Sequence, residues 1–148
     1  VGRIDYTAIL NGTKDVISND QNVRALRATV EIGRAVLTMG VSPHVNIFEG
    51  RRDSATQVIA AGTRQRYTFR WQVVVSAFSA AGFEDAMAQR DELLGYVETA
   101  LMADRNLNGA LTLRQLQILG GDMQSQPGDN GFWSQAAIDL AAEVSATI

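Results

Sequence analysis

Chemistry in this chain would have to come from very few groups. His44 is the only histidine and there is no cysteine, so a thiolate nucleophile, a disulfide and a cysteine-ligated metal are excluded. His44 follows Pro43 at the start of an expected strand, a setting that predicts a structural or exposed imidazole and not a general base. Carboxylate pairs such as Glu84 with Asp85 and Asp91 with Glu92 lie on an expected helix. Adjacent helical positions diverge, so these read as a solvated face and helix-start charges rather than as the facing acids of a glycosidase. No serine motif and no phosphate-binding glycine loop of recognisable form occurs. The expectation is a protein with no catalytic residue, no metal and no cofactor.

What the chain does have is arginine. The 13 basic residues are arginines except for Lys14. A guanidinium makes planar, multi-donor contacts with carboxylates and backbone, which suits protein interfaces; drift in composition is the other reading. Several of these arginines lie in or beside one stretch, Gly62 to Ser79 (GTRQRYTFRWQVVVSAFS), where a basic loop runs into a long alternating run of aromatic and β-branched residues. As a strand, Arg66 to Ser79 would extend about 45 Å, against a diameter near 40 Å for a compact domain of this size. Part of it must bend or project, and a projecting, arginine-studded hairpin predicts an assembly subunit.

The bulk properties fit one domain spanning residues 1–148. At 148 residues and 46% hydrophobic, the chain can bury a real core. Its net charge of -3 and pI near 5.1 argue against binding nucleic acid or membrane through overall charge. No apolar run approaches membrane-spanning length and no signal peptide opens the chain. The first residue, Val1, predicts that an initiator or short leader has been lost.

Elements then follow from periodicity. Tyr6, Ile9, Leu10, Val16 and Ile17 share a helical face, predicting a helix from Asp5 to about Ser18 that Gly12 weakens. After a polar break at Asn19 to Asn22, Ala28, Val30 and Ile32 alternate as a short strand ending at Gly33. His44 to Glu49 gives a second strand, and Gly50 to Gln65 reads as a long, projecting connection. From Phe83 to about Asp104 runs the clearest helix, with Glu84 and Asp85 suiting the positive end of its dipole. Its wheel puts Phe83, Met87, Leu94, Val97 and Leu101 in one stripe, with Ala86, Leu93 and Ala100 beside it. Arg90 falls inside that stripe, where it must find a carboxylate, snorkel, or reach a partner subunit. Gly95, in the helix interior, costs about 1 kcal/mol unless something packs closely on it.

Leu111 to Ile118 changes alternation phase, predicting a strand with a bulge near Arg114 and Gln115, and Gly120 and Gly121 then bend the chain. The run Gln126, Pro127, Gly128, Asp129, Asn130, Gly131 is a hairpin turn. Beyond it, a helix would align Trp133, Ala137, Leu140, Ala141 and Val144 but leave Ile138 on the polar side. A strand places every large aliphatic residue on one face, so the strand is expected. The order α-β-β-β-α-β-β gives an α+β fold, a mostly antiparallel or mixed sheet of about four to five strands packed against two helices.

Taken together, ATVEIG, HVNIFEGRRD, AAGTRQRYTFRWQVVVSAFS, RDELLGYVETALMADRNLNG and GFWSQAAIDLAAEVSATI make the chain resemble the tail terminator, or tail completion, proteins of long-tailed bacteriophages. The resemblance spans nearly the whole chain and brings no diagnostic functional residue with it. It implies a virion protein, assembled in the host cytoplasm. It also implies a ring, usually hexameric, that caps the tail tube, stops its polymerisation and meets the head-completion or connector protein. DNA would pass through the lumen without specific binding.

In such a ring Arg51, Arg52, Asp53, Arg64, Arg66 and Arg70, with Arg90, are the residues expected to contact a neighbouring subunit or the tube. A solvated loop without measurable contacts is the other reading of these arginines. The sequence is also compatible with two further functions. One is a different neck or connector ring or a tube-like tail protein. The other is a ligand- or nucleic-acid-binding domain using Tyr67, Phe69 and Trp71 with Arg66 and Arg70 as a stacking platform.

Overall fold

The computed structural model describes residues 4–33, 42–56, 64–112 and 115–147. Helix α1 (Tyr6–Ser18) is capped by Asp5, whose carboxylate accepts from the Ala8 N–H at 3.0 Å. Gly12 has a packing role there. A Cβ on it would lie 2.8 Å from the Leu107 carbonyl oxygen and 3.0 Å from Ala110 Cβ, so its absence lets the chain after the long helix press onto α1. The expected polar break at Asn19 to Asn22 is instead the start of a short helix, α2 (Gln21–Ala25). Asp20 turns the break into a cap, its carboxylate accepting from the Asn22 and Val23 N–H groups at 3.1 and 3.0 Å.

The fold is α+β. Among the described residues, three helices accompany one mixed six-stranded sheet, against the two helices and four to five strands expected. Strand β1 (Thr29–Ile32) pairs in parallel with β2 (His44–Thr56). β2 runs antiparallel to β3 (Arg64–Ser79), and β3 antiparallel to β6 (Gly131–Thr147). Strands β4 (Gln117–Ile118) and β5 (Met123–Gly128) follow one another along the far edge of β6. The C-terminal segment is therefore a strand, as its aliphatic alternation indicates.

Buried side chains on one face of the sheet include Val45 and Ile47 of β2, Phe69, Trp71, Val73 and Val75 of β3, and Ala136, Ile138 and Leu140 of β6. They form one cluster with Ile9, Leu10 and Ile17 of α1. The same cluster takes in Leu93, Val97 and Leu101 of α3 (Phe83–Ala103). Both long helices thus lie on the same side of the sheet.

Three expectations are corrected. The long connection Gly50 to Gln65 is mostly strand: β2 continues to Thr56 and β3 begins at Arg64, with 57–63 outside the described residues. Pairing survives past Gly50 because a bulge absorbs the misfit, Glu49 facing Trp71 and Arg52 facing Phe69. The buried stripe of α3 is rotated from the expected one, running through Ala86, Arg90, Leu93, Val97, Ala100 and Leu101, while Phe83 is exposed. Alanines at 86 and 100 let the helix approach the sheet closely, and Phe83 packs instead on Phe132 with ring centroids 4.2 Å apart.

The third correction concerns Leu111 to Ile118, of which only Gln117 and Ile118 form a strand; Arg114 lies outside the described residues. Leu116 is tied to Arg105, donating to its carbonyl at 2.9 Å and accepting from its Nη2 at 2.9 Å. The irregularity sits at Gly120 and Gly121, where bonds to Asp139 and Ala137 carry the edge through to β5. Gly121 lies so close to the Ala137 carbonyl that no Cβ fits.

Candidate assembly interface

Past Glu49, β2 leaves the reach of β1, whose last partner is Ile47, and β6 beyond Ala141 leaves the reach of β4. Among the described residues, β2, β3 and β6 continue together as a three-stranded blade, in which Asp53, Thr68 and Glu143 lie level with one another. Gly50 and Arg51 together oppose Arg70, and a Cβ on Gly50 would sit 2.6 Å from the Arg70 carbonyl oxygen. Glycine is therefore required for the strands to stay paired there. The extra residue also decides which way the arginines face.

Arg52, opposite the buried Phe69, turns to the helix-covered face. Its Nη1 donates to the Tyr6 hydroxyl at 3.1 Å, and its guanidinium carbon lies 4.3 Å from the Tyr67 ring centroid and 5.7 Å from that of Tyr6. The bond to Tyr6, then the charge distribution of that phenol, with a smaller contribution from Tyr67, raises the Arg52 pKa above its ordinary value. The group is a permanent cation. Arg51 and Arg70 share Asp53: Arg51 Nη2 pairs with its Oδ1, and Arg70 Nε lies 3.8 Å from its Oδ2. These groups are well exposed, so the pairs contribute little stability and leave a net positive cluster.

Arg66 is half-buried, its backbone paired with Thr56 and Ser145. The Arg64 backbone pairs with Thr147, and its side chain lies outside the described residues. Arg90 lies apart from the blade, 7% exposed between α3 and β6. It donates to Asp91 Oδ1 from Nε and Nη2 at 3.0 and 2.8 Å and to Ser134 Oγ from Nη1 at 2.9 Å.

Phe69 and Trp71 are buried, their rings stacked with centroids 5.3 Å apart, so they offer no platform to a nucleic-acid base. Their cover comes from α1 as well as the long helix: Tyr6 packs on Phe69 at 4.8 Å, and the Trp71 indole donates to Thr13 Oγ1 at 3.0 Å. His44 is fully buried, with Nε2 2.9 Å from Glu31 Oε2. Among the described residues, no group of three or more histidine or acidic side chains is placed to hold a metal ion. No described helix is long and apolar enough to cross a membrane.

Arginine density leads from the sequence to β2 and β3 but not to the facing edge of β6. That edge is flanked by two clefts. One, of about 190 Å³, lies toward α1 and is lined by Asp5, Ala8, Thr112 and Glu143 among others. The other, of about 120 Å³, is lined by Thr68, Gln115, Gln117, Ala141, Ala142 and Glu143. The sequence held one signal for it, the acidic outward phase of the last strand at Asp139 and Glu143.

No family model matches the sequence, and no curated protein matches it. Among solved structures the fold has a counterpart in a chain of the virion of a native gene transfer agent particle. The TM-score is 0.59 at 16% identity, over 97% of this chain and 97% of that one. At that identity the likeness shows a shared fold, and it spans the helices, the sheet and the blade together.

Proposed function

We propose that this protein is a structural virion protein, and within the virion a tail terminator. It forms a ring that caps the tail tube, stops its growth and joins it to the head-completion or connector protein, with DNA passing through the lumen unread. The observation that carries this reading is the blade of β2, β3 and β6, which gathers Arg51, Arg52, Arg66 and Arg70 on a domain whose one histidine is buried against Glu31. The end-to-end likeness of fold to a chain of a gene transfer agent virion supports the same placement. Ring closure needs only a head-to-tail contact repeated at the right angle.

Solution mass together with negative-stain images of the purified protein tests the proposal. A closed ring that binds tail-tube ends is the expected result. Stacking into tubes would instead mark a tube-like subunit, and a strictly monomeric protein that ignores tube ends would sink the terminator reading. Replacing Arg64 and Arg66 with glutamate is expected to leave the fold intact while weakening ring closure or capping. Unchanged assembly would reduce that pair to a solvated surface.

A further inference from the structure

The geometry points to a layered contact between copies, in which the outer face of α3 on one subunit seats in a groove on the sheet of the next. This deepens the ring reading and rests on it. The groove lies on the sheet face turned away from the helices. Phe48, Gln72 and Asp139 stand in one row there, across β2, β3 and β6, while Ile47, Trp71 and Leu140 turn into the core on the other side. Its volume is about 310 Å³, with Phe48 and Leu119 as apolar lining and Arg51 and Arg70 beside them.

Both kinds of lining reach solvent. Leu119 is 51% exposed, and the Arg51 and Arg70 side chains are 75% and 49% exposed. Asp53 offsets one of the two guanidinium charges, and the Asp139 carboxylate accepts from Gln72 Nε2 at 2.9 Å. An apolar floor under projecting guanidiniums calls for a partner surface that is acidic and carries an apolar group between its acids.

The outer face of α3 is such a surface. At 100° per residue Gly95 lies opposite the buried Ala86 and Val97, and Glu84, Asp91, Glu92 and Glu98 flank it, with Met102 at 64% exposure further along. Arg90, the helix's one basic residue, is buried and takes up Asp91, so the other three acids meet no cation on their own helix. A Cβ on Gly95 would meet nothing within 4 Å beyond the local helix backbone. Nothing inside the subunit therefore calls for glycine, the poorer helix former, whereas a neighbour pressed close to the helix does.

The two faces lie on opposite sides of one subunit, so each copy offers a groove to one neighbour and a helix to the other. Such a head-to-tail contact closes into a ring at the right rotation. Two α3 faces would set acid against acid, which disfavours a two-fold dimer through the helix.

Charge reversal separates the partners. Arg51→Glu with Arg70→Glu inverts the groove, and Glu92→Arg with Glu98→Arg inverts the helix. Each double variant alone is expected to lose self-association at least about tenfold. An equimolar mixture should assemble again, because every contact between unlike copies then joins opposite charges. In a second arm, Gly95→Gln adds bulk without charge; it should leave the melt of the isolated subunit no lower and weaken association to a similar degree. A wild-type ring whose charge-reversed or Gly95→Gln variants still close overturns the seating and leaves the ring reading standing. So does a mixture that stays apart, since the two faces then meet something other than each other. A wild-type protein that never assembles overturns both. If a double variant does not fold, Gly95→Gln decides alone.

Discussion

Replacing Gly50 with alanine is expected to cost about 1–3 kcal/mol, at the upper end of that range. The added methyl would lie 2.6 Å from the Arg70 carbonyl oxygen, 3.2 Å from its carbon and 3.7 Å from Trp71 Cα. All three neighbours are backbone, so no side chain can swing aside. Relief requires β3 to move by roughly half an ångström or more for ordinary contact, and β3 is the central strand, held on its other side by Trp71 facing Leu140.

Urea unfolding followed through the buried Trp71 would read the loss as a lower midpoint at constant slope. Deleting Gly50 is the matched control. It leaves Arg51 alone opposite Arg70 and keeps Glu49 facing Trp71 and Arg52 facing Phe69, so the ladder becomes regular and the variant should be more stable than the alanine one. It should still assemble poorly, because the strand loses its bend. A Gly50→Ala loss below about 0.5 kcal/mol, or a deletion less stable than the alanine variant, would refute the bulge as the reason for this glycine.

Gly95→Ala should stabilise the protein by up to about 1 kcal/mol, since nothing beyond the local helix backbone lies within 4 Å of the added methyl at this mid-helix position, and a thermal melt that moves down would contradict this. Trp71→Phe removes the buried indole bond to Thr13 and part of a packed ring, with an expected loss of about 1–3 kcal/mol by chemical denaturation. Arg90→Ala should destabilise clearly, leaving Ser134 with only Ser125 as partner, whereas Arg90→Met keeps the aliphatic stem and should recover much of the loss. If Arg90→Met folds as stably as the parent yet fails to assemble, Arg90 serves a neighbour and not the core.

Sequence patterning carried as far as side-chain volume and alternation decide the outcome. The last strand was legible because Ile138, Leu140 and Val144 share one parity that a helix would have split. Volume misled where approach distance decides: on α3 the wheel favours Phe83, Met87 and Leu94, yet the helix turns its alanines to the sheet because small residues let it come near. Local capping was invisible to periodicity as well, so a polar break that contains Asp20 became a helical turn. Arginine density points to the stretch that forms β2 and β3, but not to the face each arginine takes. A single inserted residue at Gly50 inverts the phase downstream and so sends Arg52 to the helix-covered face and Arg51 to the other, a glycine signal in a strand that composition alone understates.

That placement bears on how an arginine-bearing strand edge behaves before assembly. An exposed edge is a template for indiscriminate pairing, and arginines along it oppose that by charge and bulk. Arg52 does so without being free to wander: Tyr6 and Tyr67 hold it at the rim of α1 as a permanent cation. An edge guarded in this way rejects basic strands and accepts one whose flank is acidic. The same side chain then discourages aggregation of the lone subunit and selects the partner edge. Removing its charge by Arg52→Gln should therefore loosen both functions together, with more non-specific aggregate and fewer closed rings, and a variant that changed only one of them would separate the two roles.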